Sequence, residues 1–137
     1  MRGGFAFALA IAATGWCFLL VVGAFVYPSY SGSGCQTTPG GPIRCVSQTA
    51  THFEMNGWRV VGLFGAVAIV SLLVLLALHR VSATGSGVAA AAAWTGIGLL
   101  LGFSWLTGLS IGALVLPAVL LLIVSAAVTP KRAPLSR

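Results

Sequence analysis

Val60-Val61-Gly62-Leu63-Phe64-Gly65-Ala66-Val67-Ala68-Ile69-Val70-Ser71-Leu72-Leu73-Val74-Leu75-Leu76-Ala77-Leu78 contains no Asp, Glu, Lys, Arg or His. An uncharged run of about 18 residues or more is long enough, as a helix, to cross a hydrocarbon layer of about 30 Å. Working outward, three further runs have the same character: Phe5 to Tyr27, Gly87 to Trp105 and Leu109 to Val128. Strict alternation of apolar and polar residues is absent, which excludes a spanning β-barrel, so the backbone polar groups must be satisfied within helices.

Composition agrees. Of 137 residues, 58% are hydrophobic and 6% charged, against roughly 25% charged in soluble domains. The mean hydropathy is +1.06. The expected fold class is an all-α membrane protein, a four-transmembrane-helix up-down bundle forming one integral membrane domain over residues 1–137. The first apolar run exceeds the usual signal-peptide h-region of about 7–15 residues, and its best small-x-small site, Val22-Gly23-Ala24, is weak, so it is expected to remain as a span. Trp16 before Cys17 argues against a lipoprotein signal, which needs a small residue there.

The formal charge is +6, but its distribution speaks for topology, not nucleic acid. Arg2, Arg80, Lys131, Arg132 and Arg137 fall on one side of a four-span arrangement, and Arg44 and Arg59 on the other. By the positive-inside rule the first side is cytoplasmic and holds both termini. The polar connection from Pro28 to Arg59 then faces outward, His79 to Ser86 faces inward, and Leu106-Thr107-Gly108 makes a tight outer turn. No basic stripe with interleaved aromatics marks a nucleic-acid surface. The tail from Thr129 to Arg137 reads as a basic topology anchor to the anionic leaflet.

Cys35 and Cys45 lie on the expected outer side, where disulfides persist. Pro39-Gly40-Gly41-Pro42 between them is a strong turn signal, and together these features predict a disulfide in preference to two free thiols. Further along, Asn56 is a plausible N-cap for the second span, and Gly57 eases the entry. Trp58 belongs in the interfacial aromatic belt, and Arg59 is expected to reach lipid phosphate or Glu54. Ile43, Phe53, Glu54, Met55 and Trp58 are the candidate contacts for a partner.

Within the spans, small residues four apart suggest helix packing, notably Gly62 with Ala66 and Gly98 with Gly102; Ala92 with Gly96 and Gly108 with Gly112 repeat the pattern. Such pairs serve packing within the chain or against another protein. Pro117 should kink the fourth span and deprive the Ala113 carbonyl of its helical donor. Trp16 or Trp94 is expected to donate to a hydroxyl or to that carbonyl, in a weakly polar layer with Thr14, Ser71 and Thr95.

No catalytic set, metal site or cofactor site is assigned. The spans carry no ionisable residue of the kind that marks ion and proton paths. The histidines lie in connections rather than in spans, where a haem bundle would want them, and no Cys-x-x-Cys supports thiol redox catalysis. His52 and Glu54 alone are too few for a closed zinc site. The leading expectation is a non-catalytic accessory or scaffold subunit of a larger membrane complex. A small oligomeric transporter or channel for an uncharged or weakly polar solute is the alternative. The expected partners are the lipid bilayer and another membrane protein or a second copy of the chain.

The four-span plan with a Cys-x9-Cys first outer loop resembles the claudin-type tetraspan layout, although Gly-Leu-Trp before the cysteines is absent and the second outer loop is only a turn. The chain is also similar to small uncharacterised four-helix membrane proteins of actinobacteria, in which an outer loop leads through Asn-Gly into a span, as Asn56-Gly57-Trp58 does here. That resemblance covers about half the chain and implies a multi-pass protein of the bacterial inner membrane, with the loop extracytoplasmic; it implies no activity.

Overall fold

The structure, a computed structural model, describes residues 2–36 and 44–129. Five helices and two strands follow in order: α1 (Arg2–Val26), β1 (Pro28–Gln36), β2 (Arg44–Thr51), α2 (His52–Asn56), α3 (Trp58–Thr84), α4 (Gly87–Leu106) and α5 (Gly108–Val128). Four of the helices, α1, α3, α4 and α5, are long and apolar enough to cross a membrane. The Pro39–Pro42 turn, Ile43 and the basic tail beyond Thr129 lie outside the described residues.

The long helices form a ring in which α1 packs on α3, α3 on α4, α4 on α5 and α5 back on α1. Small side chains make this possible. Helix α1 turns Ala6, Ala10, Ala13, Cys17 and Ala24 inward, α3 contributes Val67, Ala68 and Val74, α4 Ala93 and Ile97, and α5 Val115, Ala118, Val119 and Leu122. Many of the larger side chains, among them Phe5, Phe18, Leu19, Leu73, Trp94 and Trp105, stand outside, while Phe64, Leu78, Leu100 and Leu122 are buried. No more than 33% of any spanning window is buried, an arrangement that would aggregate in water and that suits lipid, where helices associate through close small-residue contacts. These are the marks of a multi-pass helical membrane protein.

The second span is longer than the uncharged run, because α3 continues past His79 and Arg80 to Thr84. Gly85, at φ 68°, adopts the left-handed conformation that ends it. The connection to α4 therefore shrinks to Gly85-Ser86, and the Ser86 hydroxyl accepts from the Ala89 amide to start α4. At the far end of α4, Thr107 and Gly108, at φ 67°, turn the chain directly into α5.

In its described residues the polar connection is a pair of strands followed by one helical turn. Strands β1 and β2 pair antiparallel, with Cys35 opposite Cys45, Ser33 opposite Ser47 and Tyr30 opposite Ala50.

Candidate functional site at the hairpin end

A Cys35–Cys45 disulfide joins the strands across facing positions, with Cα atoms 4.0 Å apart. The staple has a clear physical task. A two-stranded hairpin is marginal alone, and β1 is rich in Gly and Ser, which supply little cross-strand packing.

Where β2 ends, Thr51 begins α2 with a reciprocal cap. Its hydroxyl accepts from the Glu54 amide at 3.2 Å, and the Glu54 carboxylate accepts from the Thr51 amide at 2.6 Å. This capping box is the employment of the only acid in the chain, and among the described residues no ion pair joins Glu54 to Arg59. The second span itself begins at an N-cap of Gly57 with no side-chain cap hydrogen bond, so Asn56 does not cap α3 as expected. Asn56 closes α2, its side-chain amide donating to the His52 carbonyl at 3.2 Å and to the Tyr30 hydroxyl at 3.4 Å. Gly57, at φ 59° and ψ −149°, joins α2 to α3 in a backbone conformation open to glycine. No side chain would obstruct a Cβ there, so conformation, not clearance, explains the residue.

Aromatic rings then seat this cap on the bundle. Phe53 lies 4.9 Å from Phe25 of α1 and 5.3 Å from Trp58 of α3, centroid to centroid. His52 meets Tyr30 edge-on at 5.1 Å and the buried Phe64 at 6.3 Å. Among the candidate contact residues, Phe53 is thus half-buried and turned onto its own bundle. Glu54, Met55 and Trp58 remain exposed. The His52 Nδ1 is buried without a hydrogen-bond partner, and among the described residues no three His, Cys, Asp or Glu side chains come together.

The small-residue pairs divide in an unexpected way. Gly62, Ala66, Gly98 and Gly102 are exposed on the outside of the ring, and a Cβ added at any of the three glycines would meet nothing within 4 Å. They do not pack helices within the chain. Gly96 and Gly112 do: a Cβ at Gly96 would strike the Val74 side chain, and one at Gly112 would strike the Ser104 backbone carbonyl.

A polar layer crosses the ring interior between α1 and α3. The Thr14 hydroxyl donates to the Ala10 carbonyl at 2.9 Å and lies 3.2 Å from the Ser71 hydroxyl, both side chains buried. Trp16 Nε1 donates to the Leu114 carbonyl at 2.8 Å, one residue from the carbonyl expected to be freed by Pro117. Trp94 and Thr95 face outward and take no part. Sequence reasoning passed over Ser125, whose buried hydroxyl donates to the Ala6 carbonyl at 2.7 Å and ties α5 to α1; a serine in an apolar span was its visible signal. Trp16→Phe should lower stability by about 1 kcal/mol through loss of one hydrogen bond, whereas Trp94→Phe should change it by less than about 0.5 kcal/mol. Thermal unfolding of the two variants in detergent, followed by light scattering, checks the contrast; equal shifts would remove Trp16 from the layer.

No family model matches the chain, and no similar protein was found among those of known function or among solved structures.

Proposed function

We propose that the protein is a non-catalytic accessory or scaffold subunit of a larger complex in the bacterial inner membrane, with both termini cytoplasmic and the hairpin extracytoplasmic. The observation that carries this reading is the open pair of small-residue seats on α3 and α4. Gly62 and Gly102 lie about one turn from the hairpin end of their helices, and Ala66 and Gly98 about two turns. Adjacent helices thus leave small residues unused at matching depth, which is where another helix can approach closely. Exposed Met55 and Trp58 continue this accessible region above the bundle.

The orientation follows from the placement of basic residues, and the bacterial setting from the likeness of Asn56-Gly57-Trp58 to small actinobacterial membrane proteins. A transporter or channel built from several copies is the second reading. It is favoured by the same open seats, because the space between the four helices is filled by Val74, Ile97, Val115, Val119 and Leu122, so a solute path would run between copies.

Affinity purification from native membranes in mild detergent, with mass spectrometry of the intact assembly, tests the proposal. A stoichiometric foreign membrane protein, lost in the Gly62→Leu/Gly98→Leu variant, is the expected result. A homo-oligomer without a foreign partner would move the assignment to the second reading, and a monomer would contradict both.

A further inference from the structure

Arg59 stands exposed in the first turn of α3, where the positive end of the helix dipole disfavours a cation. Among the described residues, none bonds or pairs with its guanidinium. The chain has little to offer it. The 137 residues contain a single Asp or Glu, which is Glu54, and that carboxylate is occupied by the Thr51 amide in the capping box. A second copy of the chain brings only its own Glu54, engaged in the same way, and a further formal charge of +6. The counter-charge for Arg59 must therefore come from a different molecule.

Its position says which kind. Arg59, Gly62 and Ala66 are at i, i+3 and i+7 of one helix and share a face, and all three are exposed. Arg59 thus stands one turn above the open seat on α3, at its outer end. Met55 and Trp58 are exposed beside it, and Trp, Met and Arg are the residue types enriched at the centres of protein interfaces. A helix seated closely on Gly62 and Ala66 displaces lipid from this face and brings its own outermost turn next to Arg59. A guanidinium desolvated in that way is costly unless an anion meets it, and a carboxylate matches its planar fork in two parallel hydrogen bonds.

We propose that Arg59 selects the partner of the α3 seat by pairing with an Asp or Glu at the outer end of a foreign membrane helix. The inference rests on the partner reading above and adds the chemistry by which that partner is recognised.

The test places benzoylphenylalanine at Met55 of the full-length protein, irradiates native membranes and sequences the adducts. The expected adduct is a peptide of another membrane protein with an Asp or Glu within about one turn of the attachment point. Its yield should fall roughly 30-fold in Arg59→Gln, the lower end of the cost of leaving one member of a desolvated charge pair alone. It should return when Arg59→Glu is combined with lysine in place of the partner's acid. Adducts to lipid or to a second copy only, or a protein adduct whose yield is unchanged in Arg59→Gln, would overturn the proposal. The seat is read separately by Gly62→Leu. Loss of the adduct there but not in Arg59→Gln would leave the partner reading without the charge pair, whereas loss in Arg59→Gln alone would support the pair and contradict the seat.

Discussion

Gly112→Val should destabilise the isolated bundle by about 2–3 kcal/mol, the upper part of the range for overpacking. The reason is the identity of the obstacle. A Cβ at Gly112 meets the Ser104 backbone carbonyl, which has no rotamer through which to withdraw, so α4 and α5 must separate along their seam. At Gly96 the obstacle is a Val74 methyl, which a side-chain adjustment relieves in part, and the expected loss is smaller. Gly98→Ala and Gly102→Ala should do the opposite. Open space surrounds both positions, so each alanine gains about 0.5–1 kcal/mol from reduced backbone freedom in the unfolded chain. Reversible unfolding of the purified protein in mixed micelles measures all four. Comparable losses at Gly98 and Gly112 would mean that the helices pack through other faces than those described.

The second large effect is confined to the cap. Converting Cys35 and Cys45 to serine should withdraw about 2–3 kcal/mol from the hairpin, on the chain-entropy estimate for a ring closed over a sequence separation of 10. Because a free hairpin is marginal, amide exchange at Tyr30 to Gly34 and Ser47 to Ala50 should accelerate roughly 30- to 150-fold. The interiors of α1, α3, α4 and α5 should keep their protection, since their contacts are with each other. Hydrogen exchange with peptide-level mass spectrometry reads both regions at once. Parallel loss of protection in the spans would show that the hairpin organises the bundle instead of resting on it.

These expectations depend on features that the sequence discloses unequally. The four spans are legible because an uncharged run of the length of Val60 to Leu78 has few other structural solutions. The Cys35–Cys45 disulfide is legible from two cysteines beside a Pro-Gly-Gly-Pro turn. The strands around it are not, because Pro28 to Gln36 is polar on both faces and has no alternation to detect. Helix α2 carried a readable signal in Thr51-x-x-Glu54, a capping-box spacing, whereas Asn56, expected to cap α3, closes α2 instead. The choice among glycine pairs had no such signal. In a helix that is apolar on every side, hydrophobicity does not set which face turns inward, and only the packed partners distinguish Gly96 and Gly112 from Gly62, Gly98 and Gly102. The same ambiguity hid Ser104 and Ser125, two buried serines with opposite fates, one unpartnered and the other bonded to α1. The seating of Phe53 was hidden for a related reason: an aromatic in a polar connection gives no sign in the sequence that Phe25 and Trp58 lie against it.

The central claim is that α3 carries the chain across a membrane between an outward-facing hairpin and a cytoplasmic end. Met55 is 60% exposed just before α3, and Thr84 is exposed at its other end; the 27 residues between its ends span about 40 Å as a helix. Single Met55→Cys and Thr84→Cys variants, with the native disulfide kept and Cys17 buried, can be labelled in intact cells with a membrane-impermeant maleimide. The account predicts that Met55→Cys reacts from outside and Thr84→Cys reacts only after the membrane is opened. Labelling of both positions in intact cells, or of Thr84→Cys alone, would contradict it.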